Sequence, residues 1–315
     1  MSDTIIVSIQ DLRVEFDSEL GSTQALKGIN LDIKQSRTTA IVGESGSGKS
    51  VTALAMMRLI QKPGSITHGK ILFTPKDQDT LDILQIPENS DALFDLRGGK
   101  MAMIFQEPMT ALSPVHTIGD QVMEAILTHQ PVTKEEAFSR AADMLKRVGI
   151  DDAKQRMSQY PFEFSGGMRQ RVVIAMALVC DPELLICDEP TTALDVTIQA
   201  EILALIRELK SAMDTSVLFI THDLGVVAQI ADDVVVMHRG RVLETGTVRQ
   251  ILKNPLHPYT KALLAAMPAA TAVGRLDTVI DMVTEDDMLP YPLIAIRDGR
   301  KLALPLQRIP PEVQL

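Results

Sequence analysis

Three short stretches of this chain carry residue types suited to phosphate chemistry. GESGSGKS, residues 43–50, fits the pattern G-x-x-x-x-G-K-[ST], whose glycines let the backbone wrap close to phosphates. In that pattern Gly43, Glu44, Ser45, Gly46, Ser47 and Gly48 form the cradle. Lys49 brings a cation to the β- and γ-phosphates, and Ser50 offers a hydroxyl to Mg²⁺. LLICDEP, residues 184–190, sets two carboxylates at the exit of an apolar run. Asp188 is placed for the water shell of Mg²⁺. Glu189, facing the other way on a strand, is placed to orient and polarise a water. A carboxylate pair after a strand is ordinarily a solvated loop; the phosphate loop makes it a candidate for chemistry. FSGGM, residues 164–168, opens an apolar helix, a geometry that aims backbone N–H groups at an anion. It raises the question of whose phosphate a second anion site would hold.

The elements needed to position these groups are legible. TTAIVG, residues 38–43, reads as a buried strand leading into the phosphate loop, and helical patterning runs from Lys49 to about Ile60. Residues 5–16 and 25–34 read as strands ahead of it. Residues 117–149 look helical; TKEE at 133–136 is a capping box, and Ala137, Ala141, Met144, Leu145 and Val148 share one face up to Gly149. A further helix follows Gly167 and ends at Asp181–Pro182. Strands return at 184–188 and 216–223 around a helix at about 197–212. Residues 234–246 read as a hairpin turning at His238–Gly240. This alternation predicts an α/β fold with a mainly parallel sheet, an antiparallel N-terminal part and a helical insert at about 110–180. After about residue 250 the pattern changes: three prolines surround a short helix at 254–268, and 291–306 reads as a hairpin turning at Asp298–Gly299. The predicted division is 1–250 and 251–315.

Composition narrows the function classes. The chain has 315 residues, net charge −10 and a pI of about 5.1, a balance that disfavours general nucleic-acid binding. With no Trp and 3 Tyr, the core is expected to be aliphatic, filled out by some of the 16 Met. Cys180 and Cys187 sit in apolar runs without metal-ligand spacing and read as buried thiols. MSDTIIVSIQ is not a signal peptide. The longest apolar runs, about nine residues, fall short of the roughly 20 that span a bilayer. The expectation is a cytoplasmic protein whose membrane role comes through a partner.

The order and spacing of these motifs resemble the ATPase subunits of ABC transporters over about residues 5–250. FSGGM is similar to the family's LSGGQ-type signature, with Phe164 for Leu and Met168 for Gln. FQEP places Gln106 like the family's Q-loop glutamine, TALD places Asp195 at its D-loop, and ITHD places His222 at its switch histidine. Phe16 lies where the family stacks an aromatic on adenine. The resemblance implies that two such ATPases close head to tail around ATP. Ser165, Gly166 and Gly167 would then hold the γ-phosphate bound by a neighbouring subunit. Gln106 would touch Mg²⁺ or the attacking water and report to a membrane subunit, His222 would steady the transition state, and Asp195 would bridge the seam.

VGESGSGKS, FQEPMTALSP, YPFEFSGGMRQRVVIAMAL and NPLHPYTKALLAAMP resemble the oligopeptide/dipeptide importer subgroup. That implies ATP with Mg²⁺, two permeases, a second ATPase subunit (a heterodimer favoured), and a solute-binding protein acting through the permeases. The chain would sit peripherally on the cytoplasmic face of the inner membrane and power import of peptides or related small solutes. Some relatives carry a cysteine cluster in the extension; no residue after Cys187 is Cys, so no iron–sulfur cluster is expected. The tail after 268 is expected to meet the partner ATPase or to regulate. The alternatives are a soluble ABC ATPase of DNA repair or translation and a non-catalytic ATP-binding scaffold. Only residues 107–164 separate Gln106 from Ser165, too few for a repair-type coiled coil, and the motifs occur as a single set. Glu189 and His222 speak against a scaffold.

Overall fold

The structure is a computed structural model. It describes residues 4–19, 21–106, 111–192, 194–266, 289 and 291–314. The chain opens with two long strands, β1 (Ile5–Ser18) and β2 (Gly21–Lys34), followed by β3 (Thr38–Val42), the phosphate loop and α1 (Lys49–Met56). Next come β4 (Gly64–Phe73), β5 (Leu81–Asp82), α2 (Asp91–Leu96) and β6 (Met101–Ile104). A helical segment holds α3 (Ile118–His129), α4 (Lys134–Arg147), α5 (Ala153–Arg156) and α6 (Gly166–Leu178). The core continues with β7 (Leu184–Asp188), α7 (Val196–Met213), β8 (Ser216–Ile220), α8 (Leu224–Ile230), β9 (Asp233–His238) and β10 (Arg241–Thr247). The C-terminal part has α9 (Val248–Lys253), α10 (Pro258–Ala265), β11 (Ile294–Ala295) and β12 (Lys301–Leu302). The boundary expected at residue 250 falls inside α9.

Two sheets form. One is antiparallel, in the order β2-β1-β4-β5. The other runs β11-β12-β10-β9-β3-β8-β7-β6 and is parallel from β9 to β6. Every residue of β3, β7 and β8 is buried, as near-continuous apolar runs in a covered parallel sheet should be. Because β3, β8, β7 and β6 are adjacent and parallel, their C-terminal ends share one sheet edge. The loops that follow them carry Gly43–Ser50, Thr221–Asp223, Asp188–Glu189 and Gln106. An open α/β sheet places its ligands at such an edge.

Two apolar cores hold the edge in place. Ile9, Leu12, Ile29 and Ile33 of the antiparallel sheet pack with Ile41 of β3 and Ala53 and Met56 of α1. Val122, Leu145, Val172 and Leu178 of the helical segment pack with Leu185, Cys187 and Phe219 of the parallel sheet. Each large side chain so buried contributes about 1.5–3 kcal/mol. Met56, Met101 and Met237 are buried within this aliphatic core, as the composition implies. Both cysteines are buried and free, and burial pushes their thiols up, Cys180 to about 11.

Several boundaries differ from the expected ones for local reasons. α1 stops at Met56 because Arg58 adopts φ 51° and the Leu59 N–H reaches back to the Leu54 carbonyl. This is a Schellman-type ending with arginine in the glycine position. Arg97 donates to the Met57 and Arg58 carbonyls and satisfies the groups that ending leaves over. The helical stretch at 117–149 is two helices, α3 and α4, divided around Pro131. The Thr133–Glu136 capping box is present, its two bonds at 3.2 and 3.0 Å, and the four face residues within α4 are buried, as is Val148 at its C-cap. β8 ends at Ile220 instead of 223, because Asp223 caps α8 through Gly225 and Val226.

The tail after 268 is expected to meet the partner ATPase or to regulate. Its residues 291–314 pack on this chain's own sheet. β12 pairs antiparallel with β10, and Leu302, Leu304 and Ile309 are buried. Gly299 takes φ 80° in the expected turn. Residues 267–288 of the extension, including the end of the 254–268 stretch, lie outside the described residues.

Candidate nucleotide site

The phosphate loop is built where side chains are not tolerated. A Cβ on Gly43 would overlap the Met237 carbonyl. Gly48 caps α1 at φ 100°, and a Cβ there would lie 2.8 Å from Leu26. Gly46, by contrast, faces open space. A loop closed behind and open in front, at a helix N-terminus, fits a phosphate chain. Ser47 is buried, and its carbonyl accepts the Gly240 N–H. Lys49 is buried and donates to the carbonyls of Gly43 and Glu44, both at 2.9 Å. Burial lowers its pKa, and the carboxylates of Glu189, Asp188 and Glu44 oppose that shift.

Ser50 donates to Asp188 Oδ1 at 3.0 Å, which joins a hydroxyl and a carboxylate across the edge. These are hard oxygen donors of the kind Mg²⁺ takes while keeping several waters. Among the described residues no group of three or more His, Cys, Asp or Glu could hold a metal alone.

Glu189 has φ 47°, an unusual conformation for a non-glycine residue, pinned by its N–H on the Ile220 carbonyl at 3.0 Å. Such strain costs on the order of 1–3 kcal/mol and gathers at functional sites. It sends the two carboxylates apart: Asp188 turns to Ser50, while Glu189 Oε1 lies 3.3 Å from His222 Nδ1. The strand's pleat alone does not separate them, since β7 ends at Asp188. Thr192 donates to Glu189 Oε2 at 2.9 Å, a partner the sequence did not single out. The glutamate is 11% exposed and the histidine 59%, so the acid is sheltered and the imidazole is open to a ligand.

Burial is the first cause of a raised Asp188 pKa, with the Ser50 hydrogen bond the main opposing influence. An acid raised on folding contributes stability that is full below its unfolded value, ordinarily 3.8, and lost as pH rises through the folded one. Asp188→Asn is therefore expected to raise the melting temperature of the nucleotide-free chain near neutral pH. The gain should shrink as the pH falls through the raised folded value toward the unfolded 3.8. Thermal scans across that range check it; equal melting at neutral pH contradicts it.

The remaining expected residues lie on this edge and beyond it. Gln106 follows β6 on the same edge and is exposed. Phe16 packs on Gly64 of β4, where a Cβ would come within 2.6 Å of its ring. Ser165 caps α6 by accepting the Met168 N–H, while Gly166 faces open space and Gly167 meets Ile198 at the start of α7. Asp195 caps α7 through Thr197 and Ile198, both at 3.0 Å, beside Val196, which is 83% exposed. Ser165–Gly167 and Asp195–Val196 thus sit together on an exposed surface. Gln170 of α6 ties that surface to the carboxylate loop by donating to the Pro190 carbonyl at 2.9 Å.

A phosphate loop, a hydroxyl–carboxylate pair and a sheltered glutamate at the edge of a mainly parallel sheet define an ATP-binding cassette. The ABC transporter family matches residues 26–192, and the oligopeptide/dipeptide transporter C-terminal region matches residues 243–289. The oligopeptide transport ATP-binding protein OppD of Bacillus subtilis (strain 168) is 46% identical over 312 residues, 98% of this chain and 85% of that protein. The glutathione import ATP-binding protein GsiA of Escherichia coli (strain K12) is 46% identical over 304 residues, 96% of this chain; the chain spans 47% of that protein's length. The dimeric post-hydrolysis ATP-binding cassette MJ0796 bound to ADP and Pi matches with a TM-score of 0.66 and 26% identity, covering 77% of this chain and 99% of that one. The chain belongs to the ABC transporter family, as an ATP-binding subunit of the kind that hydrolyses ATP to drive transport. Among the described residues no helix is long and apolar enough to cross a membrane.

Proposed function

We propose that this chain powers an importer for peptides or a related small solute. The reading is carried by the convergence of the phosphate loop, Asp188, Glu189 and His222 at one sheet edge in a chain with an oligopeptide-importer extension. Gly43–Ser50 would hold the triphosphate, with Lys49 leaving the loop carbonyls for its oxygens. Ser50, Asp188 and Gln106 would hold Mg²⁺ through oxygen atoms; when bound, the ion supplies positive charge against the phosphates. Glu189 would take a proton from the attacking water, and His222 would donate to the γ-phosphate. Phe16 would stack on the base.

The exposed surface of Ser165, Gly166, Gly167, Asp195 and Val196 supports a reading of the second anion site. It would close on the γ-phosphate held by a second ATPase subunit, favoured as a different chain. The positive end of α6 would stabilise that anion by up to about 2 kcal/mol. The cassette would occupy about 1–250 and the extension the remainder. Two permeases, with a solute-binding protein acting through them, would complete the transporter and hold this chain on the cytoplasmic face of the inner membrane; no nucleic acid takes part.

Purification of the tagged chain from membranes in mild detergent tests the reading. Two membrane-spanning chains and a second ATPase should accompany it. Recovery of the chain free of any membrane protein contradicts the proposal.

A further inference from the structure

The extension is anchored on a buried carboxylate of the main sheet. Glu244 of β10 is 0% exposed and accepts the N–H groups of Leu256 and His257, each at 3.0 Å. Arg300, from the tail turn and 1% exposed, lies 3.6 Å from the same carboxylate and donates to the Asn254 carbonyl at 2.7 Å. Buried charges are kept when paired and hydrogen-bonded in this way. The clamp fixes the entry to α10, whose first turn contains Tyr259.

Tyr259 is 4% exposed and points away from the extension, toward the phosphate loop. Its ring lies against His238, at the end of β9, with centroids 4.4 Å apart. Its hydroxyl oxygen accepts the backbone N–H of Glu44 at 3.4 Å. The carbonyl of the same Glu44 accepts Lys49 Nζ at 2.9 Å. Glu44 is thus held from outside by the extension and from inside by the lysine proposed to meet phosphate. Burial pushes the phenol up to about 12, so it stays protonated at neutral pH.

We propose that the C-terminal extension is part of the nucleotide site, with Tyr259 a positioning residue whose hydroxyl holds the second residue of the phosphate loop in its receiving conformation. The inference rests on the ATP-site reading above. It gives the extension a task inside the ATPase, separate from any contact with partner subunits.

Tyr259→Phe is the test, since it keeps the buried ring and removes only the hydroxyl. The purified full chain, with Lys49→Ala as a control, is titrated with a fluorescent ATP analogue and Mg²⁺. Melting and amide exchange are measured without nucleotide. Tyr259→Phe is expected to weaken nucleotide binding about three- to tenfold, the scale of one net hydrogen bond. Exchange at the Glu44 amide should speed by a similar factor, with the melting temperature within about 2 °C of wild type. Unchanged affinity overturns the inference. So does an affinity loss accompanied by a large drop in melting temperature and unchanged Glu44 exchange, which marks a packing role only. If wild type binds no better than Lys49→Ala, the ATP-site reading fails instead.

Discussion

Glu189→Gln is expected to lower ATP turnover by about 10²–10⁴-fold, the usual contribution of a positioned general base. Glutamine keeps the size of the side chain and can still accept from Thr192, which holds Oε2 at 2.9 Å in the wild type. It cannot take a proton from water. The backbone that sets the geometry is untouched, because φ 47° is imposed by the Glu189 N–H on the Ile220 carbonyl. Nucleotide affinity should therefore be at least that of the wild type, and the protein should retain ATP in a closed dimer. Steady-state ATPase assays with nucleotide-binding titrations read both quantities. Hydrolysis within a few-fold of wild type would remove Glu189 from the base role and return the scaffold reading to consideration.

Ser165→Arg has the second large effect, and it acts in trans. Ser165 is exposed; its side chain caps α6 by accepting the Met168 N–H at 3.3 Å, and its carbonyl accepts the Arg169 N–H at 2.9 Å. Loss of that cap costs about 1 kcal/mol of local stability. It leaves the loop at Gly43–Ser50 intact, since that loop is held by Lys49, Met237, Gly240 and Tyr259. ATP binding to this chain's own loop should stay within about twofold of wild type. Hydrolysis at the partner's loop should fall to background, because a bulky side chain fills the space that Gly166 leaves open. Loss of this chain's own binding would place the signature in a cis site and contradict the two-subunit reading.

The residues of the candidate site are easier to pick out from sequence than the scaffolding that holds them. Gly43, Gly48, Lys49 and Ser50 are legible because phosphate contact demands those residue types at fixed local spacing. The strands behind them are legible because burial on both faces requires unbroken apolar runs, as in Ile41–Val42 and Leu184–Cys187. What escaped depends on partners distant in sequence. α1 ends early at a turn through Arg58, and the carbonyls left over there, on Met57 and Arg58, are taken up by Arg97 far along the chain. Glu189's left-handed turn has no residue-type signal, since glutamate rarely adopts it. Thr192 could have been noticed one turn beyond the glutamate. Tyr259 could not: it and Glu44 are 215 positions apart, and nothing local in NPLHPYTK points to the phosphate loop. The tail's place was hidden for the same reason, because it depends on Arg300 meeting Glu244 in a buried pair.

Electron cryomicroscopy of the assembled transporter carrying Glu189→Gln, with Mg²⁺ and ATP, tests the central claim most directly. The expected map shows a nucleotide between the two ATPase subunits, with Ser165 Oγ about 3 Å from the γ-phosphate seated in the neighbour's loop. A closed, ATP-loaded complex with Ser165–Gly167 facing solvent would contradict the account.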